Sequence, residues 1–346
     1  MSDDFGYSFS FGPWNLSTGE DPFGPAVRPS IELAEKIRRF RAMGFTYIQF
    51  HDDDAVPDAD APWSTIQRQA KEMKKVLDDE GLKAEFVAPR LWFSPKTIDG
   101  GYTSNSADDR KYAIDRTRRA IDIARMLDCR NLVLWLAREG TYVRESKDAI
   151  TAVGRIVDAL NAMLEHDPQI RLLGEMKPNE PTDMAYLPTP GHFMGLVYRT
   201  VDPNRVGVLI ESAHSILAGL DPSDDMAYAL WHGKLWGVHL NDQNGLKYDQ
   251  DKSFGAVDLR RAFNQVWVLE RGGYAKSGGV VGLDVKAMRT TTAERDSAHL
   301  ANSREFFLML VEVVRSLDNG VVEGFRQTRD YEDLERYIIR KLMGKE

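Results

Sequence analysis

VGVLIESAH (206–214) is a run of apolar residues of strand length that ends on Glu211 and His214. It does not stand alone. FSFGPW (9–14), TYIQFH (46–51), AEFVAPR (84–90), LVLWLAR (132–138), IRLLGEMK (170–177), LWGVHLN (235–241) and VVGLDVK (280–286) have the same character. Between them lie amphipathic stretches of helical period at residues 30–43, 65–80, 109–127, 147–165 and 257–271, with Ser30 read as the N-cap of the first. Near-continuous apolar strands alternating with helices indicate a parallel sheet covered on both faces. Eight such units, with no Gly-x-Gly-x-x-Gly after any strand, favour a closed (β/α)8 TIM barrel over an open doubly wound sheet. No Pro-, Gly- or Ser-rich linker interrupts the array. One catalytic barrel domain is therefore expected over residues 1–317, with a short C-terminal helical arm over 318–346. In that arm a polar connector precedes a last helix at residues 331–342.

Composition narrows the class of function. The chain has 346 residues, 45 Lys and Arg against 53 Asp and Glu, and a net charge of −8. Such a balance, without clustered basic residues, argues against a nucleic-acid partner. No apolar run reaches the roughly 18 residues of a membrane span, and the N-terminal MSDDFGYSFSFG is acidic where a secretory signal is basic. The single cysteine, Cys129, cannot form an internal disulfide and fits a reducing, cytoplasmic setting.

The ends of the apolar strands carry His51, Trp135, Glu175, Lys177, Glu211, His214, His239 and Asp284. In a barrel these ends converge on one face. Carboxylates and imidazoles on apolar strands are costly to bury unless they pair or bind a metal. Two glutamates, a histidine and an aspartate from strands five to eight make an oxygen-rich cage suited to Mg²⁺, Mn²⁺ or Co²⁺. KYDQD (247–251) adds Asp249 and Asp251, spaced to clasp a cation from one side. Blander readings compete at each position. Lys177 lies on the same side as Glu175 and could form an internal ion pair with it. His239 alone reads more readily as a hydrogen-bonded barrel histidine than as a ligand, and His166, His192, His232 and His299 read as structural. Convergence of separate strand ends favours the functional reading for the rest.

The motifs FHDDD (50–54), WLAREG (135–140), EMKPNEP (175–181), ESAH (211–214), LNDQNGLKYDQD (240–251) and DVK (284–286) resemble, in order and spacing, those of the bacterial xylose (glucose) isomerases, most closely the shorter, actinobacterial-type members. The resemblance runs from about residue 9 to 307. It implies two divalent cations per subunit: one held by Glu175, Glu211 and Asp284, the other by Glu211, His214, Asp249 and Asp251. It also implies that Lys177 hydrogen-bonds the substrate carbonyl oxygen, that His51 oriented by Asp54 handles the sugar ring, and that Trp14 and Trp135 wall the pocket. Phe23 resembles a phenylalanine supplied by a neighbouring subunit, so a homo-oligomer, dimer or tetramer, is implied. The expected activity is D-xylose to D-xylulose, or D-glucose to D-fructose, by a hydride shift.

Several positions depart from the family pattern. His239 stands where an aspartate is usual, as in related ketose epimerases that use one metal held by two Glu, one Asp and one His. Trp92 takes the place of a phenylalanine wall. Ser17 and Thr18 occupy a loop that usually carries a second tryptophan, Leu209 replaces an asparagine, and the C-terminal arm is short. Three readings follow: an aldose–ketose isomerase, a single-metal epimerase or other proton-transfer enzyme on the same scaffold, and a non-catalytic sugar- or metal-binding relative. Retention of Lys177, Asp249 and Asp251 favours the first, and His239 points toward the second.

Overall fold

The computed structural model describes residues 4–58 and 60–345; Met1, Ser2 and Asp3 of the acidic N-terminal stretch lie outside them. Eight parallel strands close into a barrel: β1 (Ser8–Phe11), β2 (Tyr47–His51), β3 (Lys83–Ala88), β4 (Asn131–Trp135), β5 (Arg171–Glu175), β6 (Val206–Glu211), β7 (Leu235–Leu240) and β8 (Val280–Leu283). Each strand pairs with its sequence neighbours, and β1 closes the ring by pairing with both β2 and β8. The strands are shorter than their apolar runs. β1 stops at Phe11 because Pro13, which has no N–H to give a ladder, opens a 3₁₀ turn over Pro13–Asn15. β6 stops at Glu211, where a short helix over Ser212–Leu217 begins.

The outer ring comprises α1 (Leu33–Ala42), α2 (Trp63–Glu80), α3 (Ala107–Met126), α4 (Ala149–His166), α5 (Pro190–Val197), α6 (Pro222–Trp231), α7 (Leu259–Arg271) and α8 (Ala298–Arg315). The start expected for α1 is corrected. Its N-cap is Glu32, not Ser30, and makes no side-chain cap bond. Glu32 is extended at φ −61 and ψ 144, so the chain runs straight through Ile31, which packs against the core, before it coils. The C-terminal arm carries two helices among the described residues. α9 (Asn319–Thr328) replaces the expected polar connector, capped by Asp318 through Gly320 N and Val321 N, and α10 (Tyr331–Leu342) follows as read. Val322 and Ile338 are buried, and Ile338 belongs to the same apolar cluster as the barrel core.

Two apolar regions hold the barrel. The larger lies between strands and helices and includes Phe9, Phe11, Phe40, Phe45, Phe50 and Phe307. The smaller fills the interior with Phe86, Ala88, Val133, Leu173 and Leu209, against which Trp14 packs. Period-two alternation links this plug to the chemistry above it. Val133 precedes Trp135, Leu173 precedes Glu175 and Leu209 precedes Glu211, each pair on the inner face. The apolar layer is thus capped by ligand-capable side chains at the C-terminal mouth.

The mouth is braced from outside the barrel by Glu139. Its carboxylate accepts hydrogen bonds from Gly101 N at 2.8 Å, Tyr102 N at 3.1 Å, Thr103 N at 2.8 Å and Thr103 Oγ1 at 2.6 Å. The DGGYT segment (99–103) is tied in this way to the residues that follow β4.

Candidate active site

Trp14, Phe23, His51, Trp92, Trp135, Glu175, Lys177, Glu211, His214, His239, Asp249, Asp251 and Asp284 line one cavity of about 1220 Å³ at the barrel mouth. Asp54 stands one layer behind it, against His51.

The centre is a group of four. His239 Nδ1 lies 3.3 Å from Glu175 Oε1, 3.9 Å from Glu211 Oε2 and 3.8 Å from Asp284 Oδ2. One ligand-capable atom from each of these residues falls within 4.8 Å of the others. A second group shares Glu211: His214 Nε2 is 3.3 Å from Glu211 Oε1 and 3.3 Å from Asp249 Oδ2. Asn241, within the quoted LNDQNG, donates to Glu211 Oε1 at 2.8 Å and to Asp251 Oδ1 at 3.2 Å, which ties Asp251 to the shared glutamate. Trp14 Nε1 donates to Asp284 Oδ1 at 2.9 Å.

Five carboxylates in so small a buried volume cannot all keep their charge without compensation. Burial raises Glu211 to about 7, and the neighbouring Asp249 and Asp284 push it the same way despite His214 and His239. Burial and the charge of Asp249 likewise raise Asp251. Burial opposes the charged form of Glu175, but His239 and His214 outweigh it and bring the group down to about 2. Burial would hold His239 neutral, yet Glu175, Glu211 and Asp284 leave it raised. The cluster thus draws positive charge. In addition, His214 Nδ1, His239 Nε2 and Asp249 Oδ1 are buried without a hydrogen-bond partner among the described residues. Oxygen and imidazole donors in this arrangement fit divalent cations.

Lys177 does not pair with Glu175. Its Nζ donates to Asp249 Oδ2 at 2.9 Å, lies 3.0 Å from Glu180 Oε2, and stands 5.5 Å from the Trp135 ring centre. Asp251 lines the same cavity as Asp249. Its carboxylate is held by Lys286 and falls outside the Glu211–His214–Asp249 group. The backbone at Asp251 is left-handed, with φ +46.

Across the cavity the His51 ring stacks on Trp14 at 4.4 Å and meets Trp92 edge-on at 5.1 Å, while Trp92 meets Trp135 at 4.6 Å. His51 Nδ1 is 2.8 Å from Asp54 Oδ2, as its pairing requires. Arg90, not anticipated from sequence, reaches the same pair, with Nη2 at 2.6 Å from His51 Nδ1 and 2.8 Å from Asp54 Oδ1. Its only sequence cue is its place at the end of the third apolar run. Phe23 is 91% exposed at the rim. The remaining histidines have local partners: His166 with Asp122, His192 with Thr189, His232 with Tyr198 and His299 with the Asn15 carbonyl. No helix among the described residues is long and apolar enough to cross a membrane.

A (β/α)8 barrel with a carboxylate–histidine centre at its C-terminal mouth is the class of protein that fold and site define. The match of residues 37–272 places the chain in the family of the xylose isomerase-like TIM barrel, to which it belongs. Among solved structures, a D-tagatose 3-epimerase-like protein superposes with a TM-score of 0.63 at 17% identity, covering 89% of this chain and 98% of that one. A D-psicose 3-epimerase gives 0.64 at 13% identity, covering 88% and 99%. A xylose isomerase domain protein from Alicyclobacillus acidocaldarius subsp. acidocaldarius gives 0.59 at 14% identity, covering 90% and 100%. At these identities the likeness is one of fold.

Proposed function

We propose that the chain is a divalent-metal-dependent aldose–ketose isomerase acting on a small sugar, of the D-xylose to D-xylulose or D-glucose to D-fructose kind. The observation that carries this reading is the pair of donor groups sharing Glu211, with the Lys177 ammonium beside the second. Glu175, Glu211, His239 and Asp284 would hold one cation, and Glu211, His214 and Asp249 another, with Asp251 close by. Two bound Mg²⁺, Mn²⁺ or Co²⁺ ions would supply fixed positive charge beside the substrate oxygens as negative charge develops on them.

The chain's own side chains account for the rest. An aldose becomes a ketose when hydrogen moves with its electron pair from C2 to C1 and the O2 proton passes to O1. Lys177 is the donor for O1, and its pairing with Asp249 keeps it charged. His51, oriented by Asp54, faces the cavity to hydrogen-bond the ring oxygen. Trp14, Trp92 and Trp135 shield the reacting carbons from water, which strengthens the local field and limits exchange. Phe23 at the rim supports a homo-oligomer in which a neighbour completes the wall. The single buried Cys129 supports a cytoplasmic setting.

A second reading has a specific observation in its favour. Asp251 pairs with Lys286 and falls outside the second donor group, and Glu175, Glu211, His239 and Asp284 alone match a single-metal ketose epimerase of proton-transfer type. Isomerisation of xylose in D₂O separates the two. The isomerase reading expects almost no deuterium on C1 of the ketose, whereas proton transfer through an exchanging base puts deuterium on carbon.

A further inference from the structure

Beneath the site the barrel interior holds three polar side chains on adjacent strands: Ser10 on β1, Gln49 on β2 and Glu85 on β3. All are buried. Polar groups at such depth need partners, and these three supply one another with most of theirs. Gln49 Nε2 donates to Ser10 Oγ at 2.8 Å and to Glu85 Oε2 at 3.0 Å, and the Ser10 hydroxyl donates to the same Glu85 oxygen. Both amide hydrogens of Gln49 are thereby committed, which fixes which end of the amide is oxygen. That oxygen, Gln49 Oε1, is buried and has no partner among the described residues.

The complementary group is close. His239, on β7, turns Nδ1 to the carboxylates above and leaves Nε2 buried without a partner. Between them runs β8, whose Gly282 is in register with Ser10 on one side and His239 on the other. A Cβ on Gly282 would clash with both the Gln49 amide nitrogen and the His239 ring, so both approach the barrel axis over a residue with no side chain. Glu85, Gln49, Ser10, Gly282 and His239 thus follow one another across five consecutive strands of the ring.

We propose that Gln49 is a positioning residue for His239. Its Oε1, held in place by Glu85 and Ser10, accepts the Nε2–H of His239 through one bridging water, since the two atoms do not bond each other directly, and leaves Nδ1 as the atom that faces a divalent cation. A histidine that ligates through one nitrogen needs the proton on the other fixed by an acceptor, or its ring and tautomer drift. The inference rests on the metal-binding reading given above. It also accounts for a barrel floor built of a carboxylate, a hydroxyl and an amide where aliphatic side chains would otherwise fill the layer.

The test uses the full chain. Co²⁺ affinity is measured by calorimetry, and histidine-selective ¹⁵N NMR of the metal-free and Zn²⁺-loaded protein follows the Nε2–H of His239, assigned by its loss in His239→Asn. The wild type should show a slowly exchanging proton on Nε2. Gln49→Met, which keeps the volume and removes the acceptor, should lose that signal and bind Co²⁺ 10- to 100-fold more weakly. Glu85→Gln, which preserves shape but frees the amide to turn over, should weaken Co²⁺ binding by at least 3-fold and decides the matter if Gln49→Met does not fold. Wild-type affinity with a retained Nε2–H signal in the folded variants would overturn the inference. If the wild type binds neither Co²⁺ nor Zn²⁺, the metal-binding reading fails by itself. The Gln49–His239 link is then judged from the metal-free spectra alone.

Discussion

Lys286 closes on Asp251 at the barrel mouth, and the Asp251 side chain is 4% exposed while the lysine is 54% exposed. The pair holds a carboxylate over the cavity without placing it in either donor group, so the two enzymatic readings give Asp251 different weight. For an isomerase, Asp251→Asn should leave affinity for the first cation within about 3-fold, because Glu175, Glu211, His239 and Asp284 are untouched. Turnover should fall at least about 100-fold, equivalent to roughly 2.7 kcal/mol in barrier. Calorimetry together with ketose formation reads both quantities. A variant as active as wild type would remove Asp251 from the reaction.

Removal of metal should abolish activity, and the order of restoration follows from His239. Replacing a carboxylate by an imidazole in the central group trades a hard oxygen for a nitrogen ligand, which Mn²⁺ and Co²⁺ accept more readily than Mg²⁺. Chelated protein should regain activity with Mn²⁺ or Co²⁺ at least as well as with Mg²⁺. Full activity in metal-free protein, or recovery with Mg²⁺ alone, would contradict this.

The barrel was legible because strands covered on both faces read as unbroken apolar runs, and the centre because charged groups stood at the ends of those runs. The strand limits were not: nothing in VGVLIESAH marks Glu211 as the last residue paired before Ser212 turns into a helix. Nor did spacing reveal how Asp251 is used, since its partner Lys286 comes from a different part of the chain. Arg90 and Lys286 close the quoted runs AEFVAPR and VVGLDVK, but a charge at the end of a run shows no partner until the fold supplies one. Gln49, an unremarkable amide within TYIQFH, acquires meaning only opposite Gly282 and His239.

Glu139 should carry a stability effect larger than an ordinary surface carboxylate. Four donors converge on its two oxygens in a buried position. Glu139→Gln turns one oxygen into an amide NH2 facing backbone N–H groups, leaving donors unpaired and donor set against donor. A loss of about 2–3 kcal/mol is expected, measurable as a lowered denaturation midpoint. A change below about 0.5 kcal/mol would mean that the 99–103 segment is held by other contacts.

Phe23 gives a prediction about assembly. A phenylalanine 91% exposed on the rim of the site would pay little of its apolar surface's cost only if another molecule covers it. Light scattering at micromolar concentration should show a dimer or larger, and Phe23→Ser should lower turnover about 10-fold while leaving cation affinity unchanged. A fully active monomer would remove Phe23 from the site.

His299 supplies a pH dependence whose sign can be worked out. It is buried on α8, with Nε2 3.0 Å from the Asn15 carbonyl oxygen, next to the turn that carries Trp14. Burial disfavours its charged form, the Asn15 bond only partly offsets this, and the group falls from 6.5 to about 4. Between those values the unfolded chain binds this proton and the folded chain does not. The stability that His299 contributes is therefore intact above about pH 6.5 and declines as pH falls toward 4, with a limit on the order of 3 kcal/mol. His299→Gln keeps a donor for the Asn15 carbonyl but has no group to titrate in that range. Other groups titrate in both proteins, so the informative quantity is the difference in unfolding free energy between wild type and variant. That difference should favour the wild type most at pH 7.5, narrow steadily below pH 6.5, and level off near pH 4. A difference that stays constant from pH 7.5 to 4.5 would show that His299 takes up its proton in the folded protein as readily as in the unfolded chain.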